Sequence, residues 1–214
     1  MIIYPKIQSI FKRNPKTHYF IENEFSSPEF SYLSNNNWIF TEKIDGTNVR
    51  IDWNHETKQI EIGGRTDNAQ MPISLLKRLN DLFPIDKFES TYPDVSMTLF
   101  GEGFGKGIQS RGSNYLPYSV DFVLFDVYIC DLWLEFFNIT DIAEKLLIIR
   151  VPYIGVGTLK DMVTIIKNGL NSTYGDFEAE GIVAKPAVNL LTRRGQRIIT
   201  KIKCSDFKTN GENL

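Results

Sequence analysis

Residues 41–51 read Thr-Glu-Lys-Ile-Asp-Gly-Thr-Asn-Val-Arg-Ile (TEKIDGTNVRI) and sit between two apolar runs. Upstream, Trp38–Lys43 has the length and apolar content of a buried strand. Downstream, Val49, Ile51 and Trp53 alternate with Arg50 and Asp52, the period-two pattern of a strand with one buried face. The pattern predicts two strands around IDGTN, a hairpin-like unit with Lys43 at its rim. A lysine at the end of a buried strand, beside an Asp-Gly turn, has no packing role to explain it.

The rest of the chain alternates strands and helices without an internal repeat or low-complexity linker. Strands are predicted at Met97–Glu102, Asp121–Ile129, Gly181–Lys185 and Arg197–Lys203. Helices are predicted at Met71–Phe83, with Ile73, Leu76, Leu79, Leu82 and Phe83 on one face, and at Ile139–Ile149. A third begins at the Thr158–Asp161 capping box and runs to a Gly169 cap. Strands following one another, with helices inserted irregularly, predict an α+β fold with mainly antiparallel sheets and a single domain over 1–214.

Composition excludes several functional classes. The chain has 214 residues, 42% of them hydrophobic, enough for a full core. Its formal charge of −2 and pI near 5.8 exclude a broadly basic surface that holds nucleic acid by phosphate neutralisation alone. Any such contact must be local. Cys130 and Cys204 have no metal-ligand spacing and make no disulfide framework. The start, MIIYPKIQSIFKRNPK, is broken by Pro5 and lysines and has no signal-peptide pattern, and no apolar run approaches membrane-spanning length. A cytoplasmic protein without membrane partners is expected. Asn138-Ile-Thr and Asn171-Ser-Thr match the glycosylation pattern, and without a secretion signal they read as chance matches.

Ionisable residues recur where core strands do not need them. FGEGFG puts Glu102 at the end of an apolar strand, EGIVAKP starts one with Glu180, and ITKIK sets Lys201 and Lys203 on one face. Each alone is a solvated strand end. With Lys43 they suggest a polar cleft between sheets, suited to nucleotidyl transfer through a lysine. An ordinary lysine amine, with a pKa of about 10.4, is almost wholly protonated at pH 7. Burial, neighbouring lysines or a divalent metal are the means of freeing it for attack on phosphorus.

These segments carry a resemblance. EKIDGTN, GGRTD, LFGEGFGKGIQ, VDFVLFDVY, AEGIVAKP and ITKIKCSDF occur in the order of the motifs of the lysine-dependent nucleotidyltransferases, which include ATP-dependent DNA ligases, RNA ligases and mRNA capping enzymes. The chain most closely resembles the RNA ligase 2 family, from about Trp38 to Phe207. The resemblance implies an adenylation domain of ATP-grasp-like type, with antiparallel sheets flanking a nucleotide cleft and helices outside. It implies that Lys43 carries AMP, with Lys201 and Lys203 as catalytic phosphate-binding lysines. Glu42, Ile44, Asn48, Arg65, Glu102, Phe125, Glu180 and Lys185 would line the nucleotide site, Phe125 stacking on adenine, Glu102 holding the ribose and Glu180 serving as metal ligand. ATP and Mg²⁺ or Mn²⁺ are the implied cofactors.

The implied partners are RNA ends, a 5′ phosphate or pre-adenylylated end and a 3′ hydroxyl, in a nicked duplex or a broken stem-loop. Gly46-Thr47-Asn48 favours the RNA group over DNA ligases, which usually carry arginine at the position of Asn48. A capping-type guanylyltransferase, a DNA ligase domain and a non-catalytic nucleotide- or RNA-binding relative are the alternatives. Family members generally continue into a C-terminal domain, and none is expected here after ITKIK. Lys201 and Lys203 are expected on the nucleotide, leaving Arg193, Arg194 and Arg197 as candidates for the RNA backbone. GEGFGKG is not a phosphate loop, because no Ser or Thr follows its GK. Trp38, Trp53 and Phe122 are expected in the core, and His18 and His55 at the surface.

Overall fold

The computed structural model describes residues 2–66 and 69–207, and the chain falls into two compact units. One holds residues 2–4 and 45–151; the other holds 5–44 and 152–207. The chain passes from one unit to the other between Ile44 and Asp45, inside the TEKIDGTNVRI stretch.

The first strands, β1 (Gln8–Ser9), β2 (Phe11–Arg13) and β3 (Phe20–Phe25), are followed by α1 (Pro28–Tyr32) and β4 (Trp38–Lys43). After the crossing come β5 (Thr47–Asn54), β6 (Gln59–Gly63), α2 (Ile73–Leu82), α3 (Ile85–Thr91), β7 (Met97–Gly105), α4 (Gly112–Tyr115), β8 (Val120–Ile129), β9 (Leu132–Trp133) and α5 (Phe136–Lys145). The chain then returns through β10 (Tyr153–Gly157), α6 (Leu159–Lys167), β11 (Gly181–Pro186) and β12 (Thr200–Lys203). The fold is α+β, and every strand pairing within the sheets is antiparallel except that of β1 with β12.

In the unit of residues 45–151 the sheet runs β6-β5-β7-β8-β9. Its core face carries Val49, Ile51, Trp53, Leu99, Phe122 and Leu124, against Leu75 and Leu79 of α2, Phe88 of α3 and Ile139, Ile142 and Ala143 of α5. Each such side chain contributes on the order of 1.5–3 kcal/mol when fully withdrawn from water. Trp53 stacks on Phe88 at 5.4 Å between ring centroids.

In the other unit the sheet runs β1-β12-β11-β4-β10. Trp38, Phe40, Ile182, Ala184 and Ile202 line its core face, and Leu159, Met162 and Ile166 of α6 cover them. Thr158 caps α6 as predicted: its hydroxyl accepts from the Asp161 N–H while the Asp161 carboxylate accepts from the Thr158 N–H. Gly169, at φ +88°, follows the helix in the left-handed conformation, its N–H bonded to the Ile166 carbonyl.

Several expectations are corrected. β4 and β5 do not form a hairpin; they lie in different sheets. Gly46 explains part of the divergence, because its backbone lies against β7, where an added Cβ would sit 2.3 Å from the Gly103 carbonyl oxygen. The buried face of α2 is Leu75 and Leu79, and Ile73 and Leu76 are exposed. α5 begins at Phe136 and ends at Lys145; Leu147 takes a positive φ of 51°. β12 spans only Thr200–Lys203, since Arg197 bridges back to Leu191 around the Gly195 turn. Trp38, Trp53 and Phe122 are buried as expected.

Candidate active site

In the sheet of residues 5–44 and 152–207, pairing register brings three ionisable motifs together. Gly181 of β11 is the Cα partner of Lys43 on β4 and of Lys203 on β12. Val183 likewise lies between Thr41 and Lys201, and Lys185 pairs with Ile39. Residues paired across strands share a face, so Lys43, Lys185, Lys201 and Lys203 project from one face while Trp38, Phe40, Ile182 and Ile202 fill the other. Gly181 is required at the junction, because a Cβ there would lie 2.0 Å from the Ile202 carbonyl oxygen and 2.8 Å from the Lys203 Cα.

Glu180 completes the group. Its Oε2 accepts from Lys43 Nζ at 2.6 Å and its Oε1 pairs with Lys203 Nζ at 2.7 Å, the carboxylate side chain being only 8% exposed. A buried carboxylate requires such partners. Lys201 stands beside the pair, and its amine is held below the usual lysine range by burial first and then by the charges of Lys43 and Lys203.

Glu42, adjacent to Lys43, points to the opposite face and is 2% exposed. Its carboxylate accepts from the Ser172 hydroxyl at 2.6 Å, the Thr173 N–H at 3.0 Å and the Thr173 hydroxyl at 2.8 Å. This turn precedes Glu180 by a few residues, and its Ala179 N–H returns to the Leu170 carbonyl. Sequence reasoning missed the turn, whose Ser172 and Thr173 stood out only as part of a chance glycosylation pattern. Ile44, following the nucleophile candidate, is buried.

In the unit of residues 45–151 the non-core face of the sheet holds the remaining candidates. Asn48 is the Cα partner of Glu102, which pairs in turn with Val123. The glycines of FGEGFG now have a physical reason. Gly101 and Gly103 face the core, where a Cβ would lie 2.2 Å from the Phe122 ring and 2.4 Å from Leu75 Cδ2, so Glu102 between them turns to the other face. A β-bulge follows in β8, because Phe100 pairs with Asp126 and Gly101 with Leu124, leaving Phe125 as the extra residue. Its ring packs edge-on against Tyr4 at 5.0 Å, Tyr4 packs on Phe100 at 5.1 Å, and the Tyr4 hydroxyl donates to Asp126 Oδ2 at 2.6 Å.

Asn48 Oδ1 is buried without a hydrogen-bond partner among the described residues, an acceptor that a bound donor would satisfy. Arg65 lies exposed just after β6, the strand that pairs with the Asn48 strand β5. Arg193 and Arg194 are exposed at the Gly195 turn. The described residues contain no cluster of three or more His, Cys, Asp or Glu side chains able to hold a metal, and no helix long and apolar enough to cross a membrane.

The sequence model of the RNA ligase family matches residues 36–203, which includes Lys43, Glu102, Glu180, Lys201 and Lys203. The chain belongs to the RNA ligase family. A comparison with curated protein sequences finds no match. Among solved structures the chain is similar to the RNA ligase of Naegleria gruberi. One mutant of that enzyme, solved with ATP and Mn, is 17% identical over 94% of this chain and 56% of its own, with a TM-score of 0.69. A second mutant solved with ATP and Mn is 18% identical over 82% and 51%, with a TM-score of 0.65. A mutant in the apo form is 16% identical over 95% and 60%, with a TM-score of 0.67. The chain thus spans little more than half the length of these ligases, and at such identities the likeness is one of fold.

Proposed function

We propose that this chain joins RNA ends with ATP, through a covalent lysyl-AMP on Lys43. The constellation of Lys43, Glu180 and Lys203 supports this reading most directly: a lysine at a strand end, fixed in position by a carboxylate and flanked by two further lysines. In the first step deprotonated Lys43 Nζ bonds to the α-phosphorus of ATP and the bond to the β-phosphate oxygen breaks, releasing pyrophosphate. An RNA 5′ phosphate oxygen then takes AMP from Lys43, and the N–P bond breaks. Finally a 3′ hydroxyl oxygen attacks the 5′ phosphorus and AMP leaves. Lys201, Lys203 and Lys185 would steady the phosphates, as cations do where negative charge builds at phosphorus. Phe125 would stack on adenine and Glu102 would accept from the ribose hydroxyls. Asn48 offers an unmatched acceptor to the nucleotide or the RNA end.

A divalent ion fits the donor set in one way. Mg²⁺ and its like keep several waters and take one or two carboxylates together with phosphate oxygens, and Glu180 offers one such carboxylate. Bound there, Mg²⁺ or Mn²⁺ would supply charge neutralisation at the phosphates. The Naegleria ligase solved with ATP and Mn lends the assignment support by likeness of fold.

The test incubates the chain with labelled 5′ phosphate RNA, a 3′ hydroxyl acceptor, ATP and Mg²⁺ or Mn²⁺, as single strands and as a nicked duplex. Joined RNA with ATP, absent when GTP or NAD replaces it, is the expected result. Transfer of GMP to a diphosphate RNA end, or joining confined to DNA ends, would contradict the reading.

A further inference from the structure

We propose that a cationic groove beside α2 binds the phosphate backbone of a single RNA strand, with Tyr118 stacking on one of its bases. The identity of the ligand rests on the RNA ligase reading; the groove itself is built wholly from residues of the 45–151 unit.

The groove encloses about 300 Å³ and is lined by Lys77, Arg78 and Asp81 of α2 together with Lys106, Tyr118 and Ser119. Three cations and one anion share this small surface on a chain whose formal charge is −2. Lys77 and Lys106 are exposed and have no acidic partner among the described residues. Arg78 is held in place by Asp121, with Nε on Oδ1 at 3.0 Å and Nη2 on Oδ2 at 3.4 Å, which leaves other guanidinium donors available. Tyr118 is 90% exposed, which leaves its ring open to a stacking partner.

The backbone around these side chains is fixed. The Lys106 N–H donates to the Ser119 carbonyl at 2.8 Å, and Gly105, at φ +117°, admits no Cβ because the same carbonyl oxygen would lie 2.4 Å away. The end of β7 and the start of β8 are thereby clamped together, setting Lys106 beside Tyr118. Lys106 directly follows the end of β7, four residues and at most about 13 Å of chain beyond Glu102, so the groove lies just past the strand that carries a proposed nucleotide-site residue. Lysines and a bidentate-capable arginine for phosphates, with one ring for a base, match single-stranded RNA, whose recognition combines backbone charge with base stacking. A groove of this kind answers the restriction set by the low overall charge, that nucleic-acid contact must be local.

The test measures binding of a fluorescent, unstructured RNA of mixed sequence, lacking a 5′ phosphate, to the full chain across a salt series, with lysyl-AMP formation assayed in parallel. Lys77→Ala/Lys106→Ala is expected to lower the slope of log affinity against log salt by about 1.4, since each phosphate contact on a single strand contributes about 0.7. Tyr118→Ala is expected to weaken binding about 5- to 150-fold for every sequence and leave the slope unchanged. Lys12→Ala/Lys145→Ala removes two exposed lysines elsewhere and should leave binding as it was. An unchanged slope in the groove variant, an equal loss in the control pair, or a loss confined to lysyl-AMP formation would overturn the proposal, the last assigning the groove to the nucleotide. If the parent chain forms no lysyl-AMP, the enzymatic reading fails, while the salt slope still decides whether the groove binds RNA.

Discussion

Replacing Glu42 separates a structural role for its side chain from a ligand-binding one. The carboxylate is 2% exposed and accepts three hydrogen bonds, one from the buried Ser172 hydroxyl and two from Thr173. Hydrogen bonds to a charged group contribute about 1.5–3 kcal/mol each. In Glu42→Ala the Ser172 hydroxyl is stranded in the interior, whereas Thr173, which is exposed, recovers much of its bonding from water. Loss of a buried charge also removes a desolvation cost. The sum is about 2–4 kcal/mol of destabilisation. Glu42→Gln keeps the shape and one acceptor oxygen but presents an amide to a donor, for about 1–2 kcal/mol. Urea unfolding at pH 7 is the assay. With a slope of about 2–3 kcal/mol per molar, Glu42→Ala should lower the midpoint by roughly 1 M, and Glu42→Gln by about half that. An alanine variant as stable as the parent but weakened in ATP binding would refute the reasoning and return the carboxylate to the nucleotide.

Gly181→Ala forces a Cβ against the backbone of β12, at the residue paired with both Lys43 and Lys203. Circular dichroism should still report a folded chain, while lysyl-AMP formation falls about 100-fold, as misplacement by an ångström can cause. Lys201→Met removes an amine whose burial and lysine neighbours hold it below its usual range. Below the folded-state value both states of the parent carry that proton, and only the folded state bears the penalty. The variant should therefore unfold at a higher urea concentration. As pH rises past the folded-state value the parent sheds the proton and gains stability, so the variant's advantage should shrink toward the ordinary lysine range. Phe125→Ala should raise the KM for ATP about fivefold, the worth of a stacking contact near 1 kcal/mol, with little change in kcat.

The strands around the nucleophile candidate were legible because their cues are local. Trp38–Lys43 is an apolar run closed by charge, and Val49–Trp53 alternates without a break. Which sheet each strand joins was not legible, since a tight turn and a crossing between sheets leave the same period-two pattern. The distinction lies in Gly46 packing on Gly103, a contact over more than fifty residues of chain. β3, with the sequence FIENEF, escaped notice because three of its six residues are exposed and polar.

The site was legible as a set of motifs, each a charge out of place at a strand end. Its geometry was not. The bulge that singles out Phe125 falls within VDFVLFDVYI, where nearly continuous apolar residues hide a change of register. The bond from Glu42 to Ser172 and Thr173 spans 130 residues or more, and nothing in Asn171-Ser-Thr announces it. The face of α2 was misassigned for a simpler reason: Leu75 and Leu76 are both apolar, and only packing decides which one turns inward.

The central claim is that Lys43 is the nucleophile. Incubating the chain separately with α-labelled ATP, GTP and NAD in the presence of Mg²⁺, then mapping the labelled peptide, tests it most directly. The account predicts an acid-labile adduct with ATP on the peptide containing Lys43, absent in Lys43→Ala. An adduct on any other residue, or one formed only with GTP, would contradict it.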